Sequence, residues 1–409
     1  MQSIKLQYFL GYAVLGSVSP YASVYLEERG LSDAQIGVVM SLSGLSALLM
    51  PTLMSLLADL KLENRTLLRG TFFVAASALT LLLSGHSYWW LLPTFLLWSL
   101  AISPIMSLTD GMLFSVRGIR DAAGKDTPPY HRIRVYGTIG FIAPSFVLYV
   151  LLAKGVSVGL ALLTGVAVAL LACGNTWFLP ATRGRVGDPS AGAEVPNPHP
   201  PANQGKALPT LLALKRMLAP DVALFCFAMW LIWISTSSYY TFYPLYLTRV
   251  VGFEEKWLGL IVSLGVVLEI GYVLAFGWLL KKMGTKGVMV LGTAAATMRM
   301  ALLWAVPTWW SAIGVQILHG LTVLAIFLMP PLYLNHRAEP GFRNSIQGLY
   351  AMCVFGTGRI VGNNLSGQIA QAWDGDIRQV FMVMTLIAGA ATLLFALVFR
   401  DRSGTTLTP

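Results

Sequence analysis

Stretches of about twenty apolar residues, parted by short breaks that carry the charges, recur along the whole 409-residue chain. A hydrocarbon core about 30 Å thick takes roughly 20 helical residues to cross, and inside it each backbone amide must be satisfied within its own helix. Twelve such stretches can be drawn, at 6–27, 33–58, 67–85, 89–114, 135–154, 156–179, 221–248, 256–280, 288–306, 309–334, 346–371 and 379–399. The expected fold class is therefore an all-α membrane protein with twelve transmembrane helices. The first stretch lacks a basic leader and a small-residue cleavage site, so it reads as a retained helix.

Only 11% of residues are charged and 56% are hydrophobic, where a soluble domain carries about 25% charged residues. The net charge of +10 could suggest a nucleic-acid partner, but the charges lie in short loops between apolar runs, which is the pattern of membrane topology. The lipid bilayer is the expected surrounding, and no nucleic acid is expected. Cys173, Cys226 and Cys353 sit in apolar runs without metal-ligand spacing, and the five histidines are scattered. Neither HExxH nor an activated serine motif occurs. No enzyme activity, cofactor or metal is expected.

The longest break, 181–220, is rich in Pro, Gly and Ala and reads as a cytoplasmic linker between an N-terminal six-helix bundle, 1–180, and a C-terminal one, 221–409. Its tail near Leu208–Leu218 has the pattern of a short surface helix. Putting the termini, the linker and the other even-to-odd loops on one side collects 21 of the 28 Lys and Arg residues, against five on the other. Lysine and arginine accumulate on the cytoplasmic side. Both termini are thus expected in the cytoplasm, with the chain in the cell inner (plasma) membrane.

The two halves repeat. Tyr25-Leu26, Asp33, Ile36-Gly37 and Ser41-Leu42 are echoed by Tyr246-Leu247, Glu255, Leu258-Gly259 and Ser263-Leu264, at an offset of about 220 residues. A parallel repeat of six helices is the signature of two related bundles facing a central cavity.

Ionisable groups within hydrocarbon are costly and mark function by default. Counting about 1.5 Å per residue from the loop ends, Glu269, Arg299, His319 and Arg359 converge near mid-depth, all in the second half. Glu269 and Arg299 could be a static ion pair. One carboxylate cannot neutralise both arginines, so Arg359 faces a water-filled cavity or an anionic ligand completes the balance. His319 is either a hydrogen-bonded core residue or a proton-coupling group, since an imidazole titrates near about 6.5. Asp110 lies near the inner end of its span, where Arg134 could pair with it as a gate latch. Tyr21 on span one, and Tyr239 and Tyr243 on span seven, lie among serines, prolines and other aromatics, and either line the cavity or anchor the helix at an interface. Gly358 and Gly362 have the spacing of close helix packing.

Several blocks occur in order: Ser103-Pro104, Ser107-Leu108-Thr109-Asp110, Tyr130, Ile133-Arg134, Tyr136-Gly137-Thr138, Tyr239-Tyr240, Ser263-Leu264-Gly265-Val266-Val267 with Glu269, Met298-Arg299, and Gln316-Ile317-Leu318-His319. With them the chain resembles the major facilitator superfamily, and more narrowly its phenylpropionate-permease branch, which is related to oligosaccharide and nucleoside proton symporters. The resemblance implies proton-coupled uptake by alternating access, with Glu269, Arg299 and His319 in coupling or binding positions. It departs at the degenerate loop Leu57–Arg65, and at Thr322, where lactose permeases carry a carboxylate three residues after their histidine. The weight of coupling shifts to Glu269. The expected substrate is a small organic molecule carried with protons, an aromatic carboxylate being favoured by the arginine excess. A sugar or nucleoside symporter is the alternative, as is a proton-antiport exporter, although span five lacks the glycine-proline pattern of drug antiporters. Function as a monomer is expected.

Overall fold

A computed structural model describes residues 1–59, 63–122, 124, 128–181, 209–339 and 342–399. The described residues are almost entirely helical. Helix α1 runs over Gln2–Val18 and continues beyond a 41° bend as Ala22–Glu28. It is followed by α2 (Asp33–Asp59), α3 (Asn64–Ser84), α4 (Tyr88–Ile102, continued as Ile105–Ala122), α5 (Tyr130–Leu152) and α6 (Gly159–Asn175). In the second half come α7 (Pro220–Arg249), then α8 and α9 within Leu258–Ala305, α10 (Trp309–Arg337), α11 (343–372) and α12 (Ile377–Val398).

Nine of these stretches are long and apolar enough to cross a membrane, and the bent α1 makes a tenth. The segment Leu258–Ala305 has 48 residues, about twice what one crossing needs. It turns at Gly284, whose φ of 65° breaks the helix into α8 and α9. A side chain would be strained at that φ, and glycine is not. Helix α11 has the length of a crossing but carries Arg343, Gln347, Asn363, Asn364 and Gln368, which lower its apolarity. These lengths fit the twelve-crossing expectation.

The breaks in α1 and α4 share a cause. Each falls at a Ser-Pro pair, Ser19-Pro20 and Ser103-Pro104, where proline removes an amide donor and clashes with the preceding turn. Helix α10 is irregular as well. It tightens at Val315–Leu318 just before His319, and widens into π-helical winding at Leu324–Leu328, an irregularity that tends to accompany functional positions.

The repeated glycines have a structural use. A Cβ on Gly37 of α2 would lie 2.5 Å from the Asn363 carbonyl and 2.9 Å from Gly367 of α11. A Cβ on Gly259 of α8 would lie 2.6 Å from the Tyr21 hydroxyl and 2.8 Å from Ser145 of α5. Each glycine therefore lets one helix of its half lie against the other half, in two seams, α2 on α11 and α8 on α5. Gly358 and Gly362 serve a different contact. They pack α11 on α7, where a Cβ on Gly362 would meet the Ile234 carbonyl at 2.3 Å.

Most of the expected linker, 182–208, lies outside the described residues, as does the middle of the degenerate loop around Lys61. The expected surface helix forms at Pro209–Met217. Ala213 and Met217 are its buried face. Arg216 holds it in place through two bonds to Asp221, of 2.9 and 2.8 Å, and a 3.0 Å bond to the Arg337 carbonyl.

Candidate functional site

Between the two halves lies a cavity of about 410 Å³, within the usual size range of small-molecule sites. From the first half, Tyr12, Ser19 and Pro20 of α1, Met40 and Ser43 of α2, Phe95 and Trp98 of α4, and Arg134, Thr138 and Phe141 of α5 line it. The second half supplies Tyr239, Tyr240 and Tyr243 of α7, Val262, Val266 and Glu269 of α8, Gln316, His319 and Phe327 of α10, and Arg359 of α11. The walls are mostly aromatic and apolar, with few polar groups, as expected of a site that orients a small solute.

Glu269 and His319 face each other across the α8–α10 boundary, the imidazole Nε2 lying 3.5 Å from the carboxylate. Gly320 lets the two helices come close there, since a Cβ on it would meet Tyr272 and the Glu269 backbone. Arg299, in contrast, does not pair with Glu269. Its side chain is wholly buried behind Tyr239, with the guanidinium 4.0 Å from that ring's centroid, and none of its three nitrogens has a hydrogen-bond partner. The static Glu269–Arg299 pair weighed above is not formed. Depth along a helix fixes neither residue's rotation about the helix axis, and the two carriers turn different faces to each other.

Arg359 reaches the cavity as anticipated and lies over Phe355, 5.3 Å from its centroid. No carboxylate lies within ion-pair distance of it among the described residues. Tyr239 and Tyr243 line the cavity and stack on each other at 4.5 Å. Gln316 joins them, its Nε2 donating to the Tyr239 hydroxyl at 3.0 Å and to that of Tyr243 at 2.8 Å. Tyr21 lies in the α8–α5 seam instead, where its hydroxyl accepts from the Gly259 amide at 3.2 Å.

Asp110 and Arg134 do not form the direct pair expected of a latch. Two tyrosines one turn apart on α1 come between them. Tyr8 donates to Asp110, as does Tyr130 at 3.1 Å, while Arg134 donates to Tyr12 and lies over its ring at 4.2 Å. Arg134 is thereby placed in the cavity wall. Sequence reasoning assigned no role to Tyr12, Trp98, Thr138, Phe141 or Gln316 at the site. Thr138 and Gln316 fall in the blocks that carry the family resemblance, and Gln316 also lies three residues before His319 and so shares its helix face.

Beyond mid-depth, on the side away from the termini, the halves are joined. Ser145 and Ser263 are 2.9 Å apart, and Asn363 of α11 donates to the Met40 carbonyl at 3.0 Å while accepting from Thr241. At the outermost level Arg249, ending α7, bridges Glu27 at 2.5 Å and Asp33 at 2.8 Å. The cavity is closed on that side in this conformer.

A family profile described as "MFS_1 like family" matches residues 1–383. The chain is 24% identical to the xanthosine permease of Escherichia coli (strain K12), an alignment covering 97% of this chain and 94% of that protein. It is equally similar, at 24% with the same coverage, to the nucleoside permease NupG of that organism. Among solved structures, the crystal structure of nucleoside transporter NupG superposes with a TM-score of 0.80 at 22% identity, covering 98% of this chain and 99% of the other.

Proposed function

The chain belongs to the MFS_1 like family of membrane transporters, and from that premise we propose that it carries nucleosides, coupled to protons, by alternating access. It is a transporter of a small molecule and not an enzyme. The observation that carries the nucleoside reading is the cavity wall. Aromatic rings from both halves, Tyr12, Phe95, Trp98 and Phe141 opposite Tyr239 and Tyr240, offer faces for a flat base. Thr138, Gln316 and Glu269 offer hydrogen-bonding groups for a sugar. The aromatic carboxylate favoured from sequence is the weaker reading, because the arginine excess behind it shrinks on inspection. Of the two arginines that made up that excess, Arg299 is sealed behind Tyr239 and only Arg359 lines the cavity. The relatives at 24% identity are permeases whose names specify xanthosine and nucleosides, which supports the same choice.

Glu269 and His319 are the proposed proton-coupling pair, and Arg359, Arg134, Tyr239 and Tyr243 the proposed substrate contacts. The two halves, 1–180 and 221–409, are the proposed moving bodies, in an inner membrane with both termini cytoplasmic. The protein is proposed to act as a monomer.

Uptake into proteoliposomes tests the reading directly, with labelled nucleosides, aromatic acids and sugars, each with and without an imposed proton gradient. Nucleosides should be taken up, and faster when the outside is acid. Transport of an aromatic acid without any nucleoside would reinstate the carboxylate reading, and indifference to the gradient would remove proton coupling.

A further inference from the structure

The hydroxyl of Tyr243 lies 2.7 Å from the Ala312 carbonyl, and a carbonyl can only accept. The Tyr243 proton is therefore committed, and what approaches its oxygen must donate. That fixes the Gln316 amide with its nitrogen towards the tyrosines, an orientation otherwise ambiguous. The same nitrogen lies 3.0 Å from the Tyr239 hydroxyl, so Tyr239 is an acceptor as well. The other groups at the Tyr239 hydroxyl are Arg299, which can only donate, and the Tyr243 hydroxyl, whose own proton goes to the Ala312 carbonyl. The chain of donors thus runs from the Ala312 carbonyl back through Tyr243 to Gln316, and leaves one O–H unspent on a ring that lines the cavity.

Arg299 strengthens that donor. Its guanidinium lies 4.0 Å from the Tyr239 ring centroid, is wholly buried and has no anion paired with it. A cation against the face of a phenol, in a medium of low dielectric, draws electron density from the ring and makes the O–H a better donor. The arginine also fixes the ring, which Tyr243 holds from its side by stacking.

From this geometry we infer that Tyr239 is a specificity-determining residue that donates a hydrogen bond to an acceptor oxygen or nitrogen of the solute, with Arg299 and Gln316 positioning and polarising it. The inference rests on the nucleoside reading above. It adds a directional requirement, since a solute must present an acceptor, and not a donor, to this wall.

The test is equilibrium binding to the purified full-length protein, with uridine, adenosine and uridine analogues each lacking one acceptor atom. Tyr239→Phe keeps the ring, the stacking and the cation contact and removes only the O–H. It should weaken uridine about tenfold, the size of one hydrogen bond lost from a site that still excludes water. One analogue should bind equally weakly to both proteins, because it lacks the acceptor that Tyr239 serves. Arg299→Met should weaken uridine in the native background but add nothing in the Tyr239→Phe background, and Arg299→Lys should recover part of the loss. Unchanged uridine affinity in Tyr239→Phe overturns the inference. So does an equal loss for every analogue, which would mark Tyr239 as framework only. Failure of the native protein to bind any nucleoside is a separate outcome, which defeats the nucleoside reading and the inference with it.

Discussion

Glu269 and His319 form the one carboxylate–imidazole contact described in the cavity wall, 3.5 Å apart. This contact is where the coupling proton is proposed to sit, in the wall of the cavity. Glu269→Gln removes the exchangeable proton while keeping the shape. In proteoliposomes it should abolish accumulation of solute above equilibrium in response to a pH step, while exchange of solute down its own gradient continues. Accumulation that survives in Glu269→Gln would transfer the coupling role to His319. The depth of Glu269, His319, Arg299 and Arg359 was legible in the sequence, because distance along a helix scales with residue count. Their partners were not, because each residue also turns about 100° round its axis, and the faces presented depend on how helices pack. Arg299 thus meets a tyrosine ring where a carboxylate was a reasonable expectation, and Tyr8 and Tyr12 separate two charges that the sequence invited to meet.

At the scale of helices, the two seams α2–α11 and α8–α5 depend on glycines at matching places in the repeat. The repeat itself was plain in the sequence, and so was the need for close approach at Gly358 and Gly362. What Gly37 and Gly259 touch was not, since both contacts are made across the halves by residues more than 100 positions away. The substitution Gly37→Val would drive a side chain into the Asn363 carbonyl and the backbone at Gly367. Overpacking of this kind costs about 1–3 kcal/mol, enough to shift a two-state balance roughly 5- to 150-fold. The conformer closed on the side away from the termini should lose population. A cysteine placed at Ser145, buried in the other seam, should then react faster with a water-soluble maleimide in Gly37→Val than in the native background. Equal labelling rates would mean that this seam does not control closure.

Across the whole molecule, the charged part of the closure is Arg249, held by Glu27 and Asp33 of the opposite half, while Tyr149 meets Trp257 in the other seam. The two acids differ in surroundings: the Asp33 side chain is 9% exposed and that of Glu27 is 34% exposed. Removing Arg249 strands a nearly buried carboxylate, an error that costs about 3–5 kcal/mol, whereas an exposed pair contributes about 0–1 kcal/mol. Inter-half distances measured by spin labels should therefore move strongly towards the opposite conformer in Arg249→Met and hardly at all in Glu27→Gln. Similar shifts from both variants, or from neither, would deny Asp33 its part. The charges of this clasp were visible in the sequence as ordinary loop residues, and nothing local distinguished Arg249 from the other basic residues on that side. Its position has a consequence for the conditions under which the protein works. The seams below it are packed between helices of the two halves, where dissolved ions do not reach, but Arg249 and Glu27 are partly exposed, and exposed charges are screened over about 8 Å at physiological ionic strength. Rising salinity on that face weakens the Arg249–Glu27 contact and leaves nearly buried Asp33 and the seams untouched, so the closed conformer should keep nearly the same population in dilute and in salty media.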